Sequence, residues 1–314
     1  MELEGVLREL EDRLLNVLEG PMDAILFSGG IDTSLLAVLA YRRRRVPLVT
    51  CVYKDADPPD LCYAVMLAKR LGAEHHIKYF GIEEAVEAAR EVIRILRVFD
   101  PMEVRNSVVI YIGLRFCRDL GFEVVATGDG GDELFAGYSF LYDKPEDEVE
   151  MWIRNIVGRW SFSSVPIGRQ LGVRVVQPYT HPEVVDLALR IPVKLKIARV
   201  DGRIYGKYVM RLLLERYAPR ELAWRSKDPI EVGSGATRLS GVFAEMVTEE
   251  EFRSLSREVK LRDREQAYYY KVFRSLGYRV EPARDPSRAC AYCGAEVAHG
   301  GFCRVCGAYP ALGR

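Results

Sequence analysis

The feature that most limits what this chain can become is the alternation of apolar β-type runs with helical stretches across residues 24–127. Runs at 24–27, 48–53, 74–79 and 123–127 read as buried strands, and segments from Thr33, at 60–71, at 82–98 and at 106–120 carry a helical apolar period. Alternation of this kind implies a parallel sheet covered by helices on both faces. The expected fold class is therefore α/β, a doubly wound parallel sheet. In such sheets ligands bind beyond the carboxyl ends of the strands, where the strand order reverses.

Ahead of the sheet, Val6, Leu7, Leu10, Leu14, Leu15 and Leu18 follow a helical period that stops at Gly20-Pro21. Beyond about residue 152 the pattern is largely helical, with an extended piece near 173–176 and helices at 182–189 and 205–217. This half is expected to cover the crevice. A charged helical segment at 249–276 and a linker, Glu281-Pro282-Ala283-Arg284-Asp285-Pro286, lead to a cluster of cysteines. The expected organisation is an N-terminal helix (1–20), a main α/β domain (21–245), a helical extension with linker (246–284) and a small cysteine-rich domain (285–314).

Two loops rich in Gly and Asp leave the first and last of the four expected strands. The first, Ser28-Gly29-Gly30-Ile31-Asp32-Thr33-Ser34, opens a helix, so backbone N–H groups and the helix N-terminus together offer an anion site. Its glycines permit a tight turn with no Cβ to obstruct phosphate, and its hydroxyls add donors. Asp32 repels a bare phosphate; its role is to hold a Mg2+ that bridges phosphate oxygens. The second loop, Gly128-Asp129-Gly130-Gly131-Asp132-Glu133, gathers carboxylates at a strand end, which is costly unless a cation or polar substrate needs them.

The first loop lacks the lysine of the Walker G-x-x-x-x-G-K-S/T loop and the G-x-G-x-x-G spacing of dinucleotide folds. The Ser-Gly-Gly-x-Asp-Thr-Ser loop, taken with Gly128-Asp129-Gly130-Gly131-Asp132-Glu133-Leu134-Phe135-Ala136-Gly137-Tyr138, resembles the synthetase domain of asparagine synthetase. That places it with the PP-loop ATP pyrophosphatases of HUP-like fold. Weaker matches are Gly72-Ala73-Glu74-His75-His76, Phe99-Asp100 with Arg105 and Ser107, and Ala223-Trp224-Arg225-Ser226-Lys227, so the resemblance spans about residues 20–235.

The resemblance implies ATP and Mg2+ as cofactors. Leu26 and Val52 would border adenine, Thr127 and Gly128 would meet it with backbone groups, and Ser28, Gly29, Gly30, Thr33 and Ser34 would hold pyrophosphate. Asp32 and Asp132 would bind Mg2+, and Lys207 and Lys227 would neutralise the leaving group. Asp129 stands where the family has a Glu that interacts with the acceptor, and Arg105 is retained near the acceptor site.

Three departures bear on the acceptor and the nitrogen donor. The family's Thr falls at Met102 or Glu103, and Arg174 and Val176 replace a Glu and an Arg of the family's Gly-Val-Glu-Ala-Arg-Val-Pro, a change that implies a different partner in the pocket. No glutaminase segment with a nucleophilic Cys near position 1 is found, so nitrogen is expected to come free or from a partner.

Outside the resemblance, Cys290-x-x-Cys293-Gly294 and Cys303-x-x-Cys306-Gly307 have the spacing of two turns that present four thiolates to one Zn2+. His299, between them, is not needed as a ligand. Such a ribbon binds nucleic acid, binds protein or stabilises, and the spacing does not choose. His75 and His76, adjacent on a strand, point to opposite faces and are expected to be structural.

Positive and negative residues balance at 45 each, so no global field draws the chain to nucleic acid or anionic lipid. The run Arg42-Arg43-Arg44-Arg45 reads as a solvated helix end. No membrane span or signal peptide is visible, and a cytoplasmic location is expected. Asn and Gln are scarce, a bias of hot environments.

The leading expectation is an asparagine synthetase-like ligase that adenylates a small-molecule acceptor, a carboxylate or amino acid, and forms an amide or C–N bond. A separate ammonia- or sulfur-donating protein is a candidate partner. The alternatives are an RNA-modifying enzyme of thiolation or amidation type, using the ribbon for RNA or a carrier protein, and an ATP-sensing scaffold.

Overall fold

The computed structural model describes residues 2–226, 229–297 and 301–312. Lys227 and His299 lie outside the described residues.

Helix α1 (Leu3–Leu18) buries the six expected apolar residues along one face. The chain then runs β1 (Ala24–Leu26), α2 (Ile31–Tyr41), β2 (Leu48–Tyr53), α3 (Leu61–Leu71), β3 (His75–Phe80), α4 (Ile82–Leu96), α5 (Pro101–Asp119) and β4 (Val124–Ala126). A short helix α6 (Gly131–Leu134), then α7 (Glu146–Val157) and α8 (Ser164–Leu171), precede β5 (Arg174–Val176) and α9 (Pro182–Arg190). A hairpin of β6 (Ala198–Val200) and β7 (Arg203–Tyr205) leads into α10 (Tyr208–Glu215). Among the described residues there follow α11 (Arg220–Ala223), α12 (Ile230–Gly233), α13 (Leu239–Glu245), α14 (Glu249–Leu255) and α15 (Arg264–Ser275).

The five-stranded sheet has the order β3-β2-β1-β4-β5, and its β1–β2, β1–β4 and β4–β5 pairs are parallel. From β1 the chain builds outward through β2 and β3, then returns to the other side of β1 to place β4 and β5. The order therefore reverses between β1 and β4, and the two Gly- and Asp-rich loops leave the carboxyl ends of these two neighbouring strands.

One local expectation is met and two change. The extended piece near residue 175 is the edge strand β5, with Val124, Val125 and Ala126 opposite Arg174, Val175 and Val176. The helix expected from residue 205 starts at Tyr208, because Asp201 and Gly202, both at positive φ, close the β6–β7 hairpin and Lys207 at φ 58 cannot be helical. The charged segment is two helices, broken where the Asp263 side chain caps α15 by accepting from Gln266 N.

Two compact units form. One comprises Met1–Cys51, Pro59–Lys78 and Gly113–Asp228; its core joins α1, α2, α9 and α10 to the inner strands through Leu10, Leu14, Leu35, Leu36, Leu187 and Leu213. The other comprises Val52–Pro58, Tyr79–Ile112 and Pro229–Arg314. There α4, α13 and α14 each pack on α15, and Phe99 meets Tyr270 and Phe273 at 4.9 and 5.4 Å. Among the described residues, no helix is long and apolar enough to cross a membrane.

Candidate functional site

In the first unit, the loop after β1 is braced by its own side chains. Ser28 Oγ accepts from Gly30 N at 3.1 Å, and Thr33 Oγ1 lies 3.3 Å from Ser28 N and 3.2 Å from Ser28 Oγ. Gly29, at φ 79, is obligatory on two counts, since a Cβ there would also meet Ala64 N at 2.7 Å. Buried Arg225 fixes this turn from outside the loop: Nη1 donates to Gly29 O at 3.0 Å, Nη2 pairs with Asp60, and the guanidinium lies 4.4 Å from the Tyr63 ring centre. The N-terminus of α2 then opens with Asp32, Thr33 and Ser34 in its first turn. The Ser34 hydroxyl is buried with no hydrogen-bond partner among the described residues, a spare polar group in the loop.

The loop after β4 closes on the same point. Lys207 Nζ lies 2.5 Å from Asp32 Oδ2 and 2.9 Å from Asp132 Oδ1, and the lysine is 1% exposed. Burial pushes the Lys207 pKa down, but the two carboxylates outweigh it and the net direction is upward, so the side chain stays an ammonium. Lys207 holds a left-handed backbone conformation, which costs a non-glycine residue about 1–2 kcal/mol. That conformation is clamped by Lys207 N donating to Phe135 O at 2.8 Å. Arg211, itself buried, adds a second clamp, with Nε donating to Gly206 O at 2.8 Å and Nη1 to Ala223 O and Arg225 O at 2.9 Å each. Burial lowers the Arg211 pKa to about 10.

Glycines make room for this cluster. A Cβ on Gly131 would lie 2.3 Å from Asp32 Oδ1, and one on Gly137 would lie 1.9 Å from Asp132 Oδ1. Tyr179, fully buried, donates to Asp32 O at 2.8 Å. Glu133 accepts from Tyr138 at 2.6 Å, and burial raises the pKa of both.

Asp129 is held apart from these groups. Its Oδ2 accepts from Thr127 Oγ1 at 2.7 Å, Gln177 Nε2 at 2.8 Å and Ser164 Oγ at 2.5 Å. Gln177 stands where the family motif has Val, so the shorter carboxylate and the residue that holds it differ together. Arg174 is exposed on β5.

Of the expected site residues, the structure therefore brings together Asp32, Asp132 and Lys207, with Ser28, Gly29, Gly30, Thr33 and Ser34 beside them on the same loop as Asp32. Thr127 and Gly128 begin the neighbouring loop, and a Cβ on Gly128 would lie 3.0 Å from Asp32 Cβ. Leu26 ends β1. Val52 lies buried in β2. Arg105 belongs to the second unit, where it pairs with Glu231 at 2.9 Å and with Glu265 at 2.5 Å. Burial alone would lower its pKa, but these carboxylates raise it. Met102 is exposed, and Glu103 accepts from Ser107 at 3.2 Å.

Arg225, Asp60, Ser164 and Gln177 were not singled out by sequence. For Arg225 a signal existed, a basic residue inside the Ala223–Lys227 motif. For Gln177 a weaker one existed, its departure from the motif already noted at Arg174 and Val176; for Asp60 and Ser164 none did, because their partners lie far off in the chain.

His75 and His76 each have a hydrogen-bond partner: His75 Nε2 meets Thr50 Oγ1 at 2.7 Å, and His76 Nε2 meets Glu74 Oε1 at 2.8 Å. Arg42, at the end of α2, pairs with Glu11 and lies over the Tyr217 ring.

In the second unit, the sulfurs of Cys290, Cys293, Cys303 and Cys306 all lie within 4.8 Å of one another. Cys290 to Cys306 is 3.7 Å and Cys293 to Cys303 is 3.6 Å. A tetrahedral ion with metal–sulfur bonds of about 2.3 Å needs sulfurs about 3.8 Å apart, so the donor set fits such a metal.

Residues 22–166 and 167–274 match the family described as Asparagine synthase. Similar curated proteins include the glutamine-hydrolyzing asparagine synthetase B of Escherichia coli (strain K12), 27% identical over 251 residues, 73% of this chain and 45% of that protein. The glutamine-hydrolyzing asparagine synthetase of Asparagus officinalis is 25% identical over 296 residues, 85% of this chain and 50% of that protein. The chain thus spans about half the length of the curated relatives it matches. A solved NH3-dependent NAD synthetase from Campylobacter jejuni aligns over 52% of this chain and 78% of its own, with 17% identity and a TM-score of 0.32.

Proposed function

Because the chain belongs to the asparagine synthase family, we propose that it is an ATP-dependent synthetase that adenylates an acceptor carboxylate, releases pyrophosphate and completes an amide or other C–N bond. The observation that carries this reading is the convergence of Asp32 and Asp132, one from each loop at the strand-order reversal, on the single buried ammonium of Lys207.

Two carboxylates facing one cationic point are the donor set Mg2+ would take, and the ion would supply charge neutralisation to the phosphate oxygens. The chain's own groups do the rest. The 28–34 loop and the α2 N-terminus bind the pyrophosphate portion through N–H and hydroxyl donors. Thr127 and Gly128 present backbone groups to adenine beside Leu26. The acceptor oxygen attacks the α-phosphorus, the bond to the β-phosphate bridge breaks, and Lys207 offsets charge on the departing pyrophosphate. An amine then displaces AMP from the acyl adenylate. Asp129, pinned through one oxygen, faces the acceptor in a fixed orientation. In the second unit, the four cysteines would hold one Zn2+.

The test is ATP–pyrophosphate exchange with separate pools of amino acids, other carboxylates and tRNA. Exchange supported by one pool identifies the acceptor class, whereas cleavage to ADP and phosphate with every pool removes the reading. A second reading, an RNA-linked acceptor, is prompted by the four-cysteine cluster, a donor set of the kind that zinc ribbons use when they bind nucleic acid. It requires exchange with the tRNA pool and binding that weakens with salt.

A further inference from the structure

We propose that the four-cysteine site is a strut for the start of α5: metal bound there fixes Phe99, Asp100 and, through α15, Arg105. This rests on the reading that the four sulfurs hold zinc, and everything it uses lies in the second unit.

The two knuckles have the same build. Gly294 N donates to Cys290 O and Gly307 N to Cys303 O, both at 2.8 Å, and each glycine takes a positive φ, 81 and 75 degrees. A free-standing ribbon would spend its remaining backbone groups on water. Here three knuckle carbonyls are taken by the rest of the unit. Val305 O, between the last two cysteines, accepts from Phe99 N at 2.8 Å. Cys306 O accepts from Gln266 Nε2 at 2.7 Å. Gly307 sits so close to buried Asp100 that a Cβ would lie 2.2 Å from Asp100 Oδ1. Tyr292 O, in the other knuckle, accepts from Lys260 N at 2.8 Å.

These contacts fall at both ends of a brace. Asp100 Oδ1 accepts from Met102 N at 3.1 Å, in the first turn of α5. Gln266, which holds Cys306, is the chain neighbour of Glu265, which grips Arg105 Nη1 at 2.5 and 2.6 Å. Glu265 is itself positioned by Tyr269 at 3.0 Å and Ser240 at 2.7 Å. The second knuckle therefore touches the two residues just ahead of α5, of which Asp100 caps its first turn, and touches α15 one residue from the carboxylate that pins α5 a turn later. Without metal, four crowded sulfurs have no common partner and the knuckle carbonyls lose their fixed position. The brace then opens at both ends together.

The experiment uses the full chain, with zinc content and hydrogen–deuterium exchange measured on the same samples. About one zinc per chain is expected; a chain purified from zinc-supplemented growth with none would refute the zinc reading itself. Removing zinc with a chelator should speed amide exchange at residues 99–106 at least tenfold, with recovery on adding Zn2+ back, while residues 28–34 stay unchanged. Faster exchange confined to 288–312 overturns the strut. Gln266→Ala provides a variant that keeps its zinc: it should speed exchange at 99–106 several-fold, and parent-like exchange there also overturns the proposal. No step needs ATP or an acceptor, so failure here is distinct from failure of the adenylation reading.

Discussion

Lys207→Met tests the ion cluster most directly, because it preserves side-chain length and removes only the positive charge. At 2.5 and 2.9 Å, and with an effective dielectric of about 20, each carboxylate attracts the ammonium by about 6 kcal/mol. Desolvating an ammonium that is 1% exposed takes back much of this, and breaking a buried pair of this kind costs about 3–5 kcal/mol net. The variant should melt on the order of 10 °C lower. Its two carboxylates then face each other without compensation, so millimolar Mg2+ should restore more of the melting temperature in Lys207→Met than it adds to the parent. The pyrophosphate exchange rate should not be restored. It should remain roughly 100- to 1000-fold down, the loss expected when a donor aimed at developing charge is removed. Since the pKa of Lys207 is raised on folding, its stabilisation is complete below its ordinary value of 10.5 and is lost only as pH rises through the raised value, so both measurements belong at neutral pH. Exchange within threefold of the parent in a folded variant would refute the assignment.

Gly137→Ala should destabilise the chain by about 1–3 kcal/mol and cut exchange about 100-fold, because its Cβ would lie 1.9 Å from Asp132 Oδ1 and 2.5 Å from Lys207 Cε; parent-like exchange would mean the cluster tolerates displacement. Arg225→Met removes the brace on Gly29 and leaves Asp60 buried without its guanidinium, so a loss of about 3–5 kcal/mol in denaturant melts, with a raised KM for ATP, is expected. Lys196, 2% exposed, has its pKa lowered by burial from 10.5 to about 8. The folded state therefore binds fewer protons, and the group's stabilisation, present above 10.5, is lost as pH falls through 8. Lys196→Met should be more stable than the parent by about 3 kcal/mol at pH 7, a gap that closes by about pH 10.5 in a series of urea melts.

What could be read from sequence was whatever repeats at short range. The apolar period of α1, the alternation that builds the sheet and the placement of both acidic loops at strand ends all come from residues a few positions apart. The hairpin before α10 was also legible, since Asp201-Gly202 is a two-residue turn signal, but the apolar period of the following helix masks it. Long-range partners were not legible. Lys207 meets Asp32 across 175 residues, and Gln177 meets Asp129 across 48, so only resemblance could suggest the first, and for the second the motif shows a changed residue without its partner.

The glycines of the second loop show why a local reading stops short. In isolation, Gly128, Gly130 and Gly131 read as backbone freedom for a phosphate or metal loop, and at Gly130, with φ 91, that reason suffices. Gly131 and Gly137 do not adopt positive φ, and local conformation gives them no reason to lack a Cβ. Their reason is the opposite of freedom: the Asp32 and Asp132 carboxylates lie against their α-carbons, and Gly206, before Lys207, would place a Cβ 2.0 Å from Ala136 O. Three glycines from two distant segments thus mark the outline of one ion cluster. A chain of this family that kept Asp32, Asp132 and Lys207 but carried side chains at these three positions would have to move the carboxylates off the ammonium, and the charges alone would not preserve the site.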